Sequence, residues 1–398
     1  MSLETSTSAG RKMGGFGWVL ALIPLLLLGV VMAYLVVTGG GLSELSGPPI
    51  EQIKIERITL PEENVIKLEI INDGPQEVTI AQTLVDDAVW EYKILPSNTL
   101  ARLARATVII PYPWVDGEAH TVLLMSSLGT TFEGLIPVAV KTPAPSSELF
   151  LRFGLIGVYV GVVPIALGML WFPWMRRLSK SAMNFILSLT VGLLVYLAIG
   201  TWLDALEFAA DLAAFWQGVP IVVLVSLLTL GVLLALGQNG KDKTRSPLSV
   251  AYQIATGIGL HNLGEGLAIG AAFAAGQAAL GTFLVIGFTL HNITEGVGIA
   301  APVVRQNPGW RHLVTMAIIA GSPAILGTWI GGFAFNPVLA TVFLAMGVGA
   351  ILQVVWEVGK LVVKDSASLK LPTTNWTNLA GFTTGVAIMY FTAFLVKF

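Results

Sequence analysis

The chain has 398 residues, of which 55% are apolar and only 12% charged, with a formal net charge of −2. A charged share about half that of ordinary globular proteins argues against a soluble protein, and no basic stripe is present to meet nucleic-acid phosphates. Cysteine is absent, which removes disulfides, thiolate metal sites and cysteine nucleophiles.

Residues 1–15 form a short tail containing Arg11 and Lys12, followed by an apolar run over 16–38. That run is long enough to cross ~30 Å of hydrocarbon at ~1.5 Å per residue. A cleaved signal peptide would have a core of only ~7–15 residues ending in small residues. Thr38-Gly-Gly-Gly41 matches such a site poorly, so the run is read as a retained transmembrane anchor.

From 48 to 142 charges return and short alternating runs appear at Gln52–Leu60, Val65–Ile71, Glu77–Thr83, Thr107–Ile110, His120–Met125 and Thr131–Val140. Turn signals such as Asn72-Asp73-Gly74-Pro75 and Asp116-Gly117 separate them. This spacing predicts a small all-β sandwich, Ig-like or cupredoxin-like in outline. Its one His (His120) and one Met (Met125) are too few for a copper site. The expected role is packing or partner docking, with His120 an ordinary surface histidine. His312 is expected to be the same, in a turn between helices.

After Thr142-Pro-Ala-Pro145 the chain is apolar in eight runs, near 149–172, 183–203, 215–237, 249–275, 278–303, 312–333, 337–363 and 376–396. With the anchor, these predict a polytopic α-helical membrane protein of nine spans. Alternate connections carry Arg176, Arg177 and Lys180; Lys241, Lys243 and Arg245; Arg305 and Arg311; and Lys360, Lys364 and Lys370. Cationic loops favour the cytoplasmic side. The N-terminus is therefore expected in the cytoplasm, with the β domain and C-terminus on the extracytoplasmic side of the plasma membrane.

Ionisable groups inside hydrocarbon are costly enough to require a reason. One run contains His261-Asn262-Leu-Gly-Glu265-Gly266 and the next His291-Asn292-Ile-Thr-Glu295-Gly296. His and Glu at i and i+4 share a helix face, with Asn beside them. The glycines permit a neighbouring helix to approach closely. Two antiparallel helices so marked direct imidazoles, carboxylates and amide oxygens at one point, a donor set suited to Zn²⁺, Fe²⁺ or Mn²⁺ rather than Cu⁺. A structural hydrogen-bonded pair would not need both members twice at such desolvation cost.

Over about residues 149–398 the pattern resembles the ZIP family of zinc- and iron-type metal transporters, whose fourth and fifth core helices carry His-Asn-x-x-Glu/Asp-Gly. The stretches Gly192–Glu207 and Gly347–Glu357 resemble its second and seventh core helices. The resemblance implies an eight-helix core and a site able to hold two metals. His261, Glu265, His291 and Glu295 would be primary ligands, and Asn262 and Asn292 would reach a second position. It also implies an elevator-like or rocking motion, import, and a homodimer. The implied partners are the lipid bilayer and a divalent ion carried as substrate, zinc first with iron or manganese as alternatives, and no prosthetic group. Two departures stand out. The comparable sixth-helix stretch, Ala320–Gly327, has no carboxylate, leaving Ser322 to lend a hydroxyl, and Gly200 stands where an acidic residue is usual.

Asp204, Glu207 and Asp211 form an acidic outer rim able to attract cations. Gln353 and Glu357 mark an inward exit, with Lys360 at i+3 offering Glu357 a plain ion pair instead. The competing functions are an intramembrane metal-dependent hydrolase and a metal-sensing receptor. The first lacks a His-Glu-x-x-His arrangement or an additional base, and duplicated Gly-flanked motifs suit a moving ion better.

Overall fold

The computed structural model describes residues 15–37, 50–238, 246–274, 277–306, 308–334 and 336–396. Arg11, Lys12, the Thr38–Gly41 segment and the Lys241–Arg245 loop lie outside them. Two compact units are present, Met1–Ile50 and Glu51–Phe398. In the first, α1 (Gly15–Val37) is a 23-residue helix without a charged residue.

The second unit begins with strands β1 (Ile53–Thr59), β2 (Ile66–Asn72), β3 (Val78–Val85), β4 (Ala88–Trp90), β5 (Lys93–Leu95), β6 (Thr99–Leu100), β7 (Arg105–Ile110), β8 (His120–Ser126) and β9 (Thr131–Ile136). They form one sheet in the order β1-β2-β7-β5 and another in the order β4-β3-β8-β9, with β6 added to β3. Alternate residues of β2 and β8 are buried, and both sheets feed one core that includes Ile66, Leu68, Ile70, Val108, Val78, Ile80, Val122 and Leu124. The alternation read from the sequence therefore marks the inward faces of a sandwich. Strands β4, β5 and β6 are two or three residues long, too short to show a period of two.

His120 departs from the expectation of a surface residue: it is 4% exposed. Its Nδ1 lies 2.7 Å from Asp86 Oδ2, which also accepts from the Tyr112 hydroxyl at 2.7 Å. Burial raises the Asp86 pKa, but hydrogen bonds from the Thr121 N–H, His120 and Tyr112 outweigh it and hold the carboxyl below its usual value. Burial and the same carboxylate push the Tyr112 hydroxyl up to about 12. A depressed carboxyl stabilises the fold above its unfolded pKa of about 4 and loses that contribution as pH falls through the folded value. Asp86→Ala leaves buried His120 without its acceptor and is expected to destabilise the sandwich by about 1–3 kcal/mol at neutral pH. The difference from wild type should shrink in melts below about pH 4.

The remaining helices are α2 (Ser147–Gly157), α3 (Val163–Met169), α4 (Phe172–Met175), α5 (Lys180–Ala210), α6 (Gly218–Gln238), α7 (Pro247–Ala274), α8 (Ala278–Ala300), α9 (Trp310–Gly321), α10 (Pro323–Phe333), α11 (Pro337–Ser368) and α12 (Trp376–Val396). Polar side chains mark several starts. Ser146 accepts from Leu149 N–H, Ser179 from Ala182 N–H, and Asn336 from Val338 and Leu339 N–H, each satisfying an amide that the helix itself leaves open. Among the described residues, six helical segments are long and apolar enough to cross a membrane: Ser147–Met175, Lys180–Ala210, Ala214–Gly237, Leu280–Val303, Trp310–Phe333 and Pro337–Ser368. Helices α7 and α12 occupy two further apolar runs of the sequence.

Two runs expected as continuous helices are interrupted. Between α2 and α3 a π-helical stretch covers Val158–Val162, just before Pro164, which has no N–H to return to the Val160 carbonyl. Between α9 and α10 the helix stops at Gly321, ahead of Pro323. Both breaks face the site described next.

The β sandwich is fastened to the connection between α5 and α6. The Asp73 carboxylate accepts from the backbone N–H groups of Ala214 and Phe215, capping a short 3₁₀ turn, Ala214–Trp216, whose own N-cap, Ala213, offers no side-chain acceptor. Lys54 Nζ lies 3.4 Å from Asp211 Oδ1 beside it.

Candidate metal centre

Helices α7 and α8 each carry one motif, and the six polar side chains are all buried. Glu265 is their hub. Its Oε1 lies 2.9 Å from His261 Nε2 on the same helix and 2.6 Å from His291 Nε2 on the next. Both ring nitrogens thus lie within hydrogen-bond distance of one carboxylate oxygen. The second oxygen, Oε2, accepts from Asn292 Nδ2 at 3.2 Å. The two imidazole rings stand 6.4 Å apart between centroids, and Phe288 packs edge-on against His291. One ligand atom from each of His261, Glu265 and His291 falls within 4.8 Å of the others.

The asparagines tie this cluster to the two helix breaks. Asn292 Nδ2 donates to Val160 O at 3.0 Å, the carbonyl freed by Pro164. Asn262 Nδ2 donates to Ala320 O at 3.0 Å, in the last turn of α9, where terminal carbonyls lose helical partners. The glycines behave as their small size predicts: a Cβ on Gly266 would strike the Ala324 carbonyl, and one on Gly296 the Ile165 carbonyl.

Glu295 does not join the three-residue cluster. It is 3% exposed, and neither carboxylate oxygen has a hydrogen-bond partner. His261 Nδ1, Asn262 Oδ1 and Asn292 Oδ1 are likewise buried and unpartnered. Orphaned acceptors in an interior are rare, and several within two adjacent helices point to a partner of positive character.

A cavity of about 640 Å³ reaches His261, Glu265 and His291 and is lined at its other end by Asp204 and Glu207. The third member of the expected rim, Asp211, is engaged by Lys54 instead. Ser322 does not line this cavity. It sits at the break between α9 and α10, where its carbonyl accepts from Ile325 N–H. Gln353 and Glu357 are buried on α11 outside the cavity, and Glu357 pairs with Lys360 at 2.8 Å, the local ion pair that their i+3 spacing allows. His312 is exposed, with Nδ1 2.9 Å from the Tyr252 hydroxyl. The tethering of the asparagines to two backbone breaks escaped the sequence reading. The signal was present in Pro164 and Pro323, which interrupt apolar runs beside the motif helices.

Apolar helices of spanning length around a buried His/Asn/Glu cluster define a polytopic helical membrane protein. Residues 236–393, which contain both motif helices, match the family model described as ZIP Zinc transporter. No curated protein matches the chain. Two solved structures share 14% identity with 22% of it: the archaellum periplasmic stator protein FlaG from Sulfolobus acidocaldarius, matched over 99% of its length with a TM-score of 0.20, and the FlaF and FlaG stator complex of that organism, over 91% with a TM-score of 0.19.

Proposed function

We propose that the protein imports a divalent transition-metal ion, zinc first, through the His261–Glu265–His291 centre, with Glu295, Asn262 and Asn292 completing the ligand field as the ion moves. The observation carrying this reading is the single carboxylate oxygen shared by two imidazoles from adjacent helices, surrounded by unpartnered buried acceptors. An arriving cation takes the place of the Nε2–Oε1 hydrogen bonds, and each neutral imidazole carries its one proton on Nδ1. Both Nε2 atoms become donors to metal, at ~2.0–2.1 Å for zinc, and Glu265 supplies an oxygen. The carboxylates offset the ion's charge inside hydrocarbon. Because every ligand must be deprotonated to bind, affinity falls as pH drops, and protonation assists release.

In this reading residues 16–38 anchor the chain, 48–142 form an extracytoplasmic β domain, and 149–398 form the transporting core in the plasma membrane. The N-terminus is cytoplasmic and the C-terminus extracytoplasmic. The test is zinc flux into sealed proteoliposomes. Wild-type protein is expected to show saturable uptake, and His261→Ala to lose it while still inserting. Uptake by His261→Ala at the wild-type rate would remove the ligand assignment.

A further inference from the structure

The cavity above the metal centre has a roof that the helices do not provide. Its walls include Glu56, Arg57, Ile58 and Thr59 of β1 as well as His261, Glu265 and His291. We propose that β1 of the sandwich closes over the ion's route to the centre and that Arg57 sets the electrostatic barrier there. The proposal rests on the transport reading above and extends it to a domain that reading leaves without a role.

Four observations carry it. First, β1 is an edge strand, and its pairing with β2 slips between Ile55 and Arg57. A bulge of this kind bends an edge and re-aims consecutive side chains, which brings both Glu56 and Arg57 to the cavity wall. Second, the charges of the roof are unequal. Glu56 is gripped by Arg105 through Nε at 2.9 Å and Nη2 at 3.0 Å. Arg57 is half-buried and makes no ion pair among the described residues. A guanidinium outside any ion pair therefore lines the same cavity as Asp204 and Glu207. Third, the roof is fixed to that acidic end. Asp73 and Lys54 bind the connection that follows α5, the helix bearing Asp204 and Glu207. Fourth, His261 also lines the cavity and is 2% exposed, with Nδ1 unpartnered, so the space under β1 ends on a ligand-bearing side chain.

A guanidinium in a low-dielectric mouth depresses local cation concentration, and reversing its charge raises it. The experiment uses the full chain in proteoliposomes with zinc as the probe. If wild-type protein moves no zinc, the transport reading fails, whatever the roof does. Given wild-type flux, Arg57→Glu is expected to lower KM about three- to tenfold at ~0.01 M salt, with kcat changed by less than about twofold. The difference should shrink at ~0.15 M salt, where the Debye length falls from about 30 to about 8 Å. An unchanged KM at low salt would overturn the proposal. Because the chain has no cysteine, Thr59→Cys gives a second measurement on a silent background. Modification to completion with a bulky cationic thiol reagent is expected to slow uptake at least about fivefold relative to the same protein before modification, by obstruction and added positive charge. An undiminished rate after modification would overturn the roof, and this outcome decides the matter if Arg57→Glu fails to fold.

Discussion

Glu265→Gln is expected to abolish zinc uptake while leaving the protein folded. The substitution keeps the shape and one carbonyl oxygen, which can still accept from both imidazoles at the Oε1 position, whereas the amide nitrogen at the other position cannot accept from Asn292 Nδ2. What disappears is the negative charge that makes these contacts charge-assisted and that a divalent ion requires of its ligand. Outer-shell partners of metal ligands typically cost about 10- to 100-fold in affinity when removed. Loss of the hub itself is expected to exceed that, measured as zinc affinity in detergent and flux in vesicles. Glu265→Ala adds a structural penalty, because His261 and His291 lose their acceptor in a buried site, and Asn292 loses one of its two. Each unsatisfied group costs about 1–3 kcal/mol, so the Ala variant should melt well below the Gln variant. Flux by Glu265→Gln within about twofold of wild type would remove the hub role.

Gly266→Ala is expected to be as damaging without touching a ligand. The new Cβ meets the Ala324 carbonyl of α10, and backbone against backbone has no rotamer that relieves it. Overpacking of this kind typically costs about 1–3 kcal/mol. Here it also moves α7, which carries His261 and Glu265, away from the helix pair that receives Asn262. Gly296→Ala repeats the collision against Ile165 on the other motif helix. Gly231→Ala on α6 is the control: a Cβ there has nothing within 4 Å, and the change should be neutral or slightly stabilising, since alanine favours helix by up to about 1 kcal/mol. Thermal melts and zinc binding of the three variants separate a packing effect from a general intolerance of helical glycine substitution.

Much of the site was legible because its determinants are local. Spacing of four residues puts His261 over Glu265 whatever surrounds the helix, and the distance between them is one helical turn. The glycine after each Glu gave away close packing for the same reason. Glu295 shows where that logic stops. Its motif matches the one around Glu265, yet its carboxylate stands outside the cluster with both oxygens unpartnered. The same spacing on two helices therefore does not give the two carboxylates the same surroundings. Ser322, Gln353 and Glu357 do not line the cavity that reaches His261, Glu265 and His291, which their positions in the sequence could not indicate. His120 was misjudged because its burial depends on Asp86, 34 residues away, a partner that no local pattern identifies.

By itself, then, the amino-acid order determined the helical membrane class, the strand alternation and the polar faces of two spans, because hydrophobic periodicity acts over one or two turns. Which carboxylate becomes the common acceptor, which carbonyls hold the asparagines, and that β1 roofs the access cavity were decided in three dimensions. Those features join residues from about 26 to more than 200 positions apart, and at such separations the outcome depends on packing of whole elements against one another.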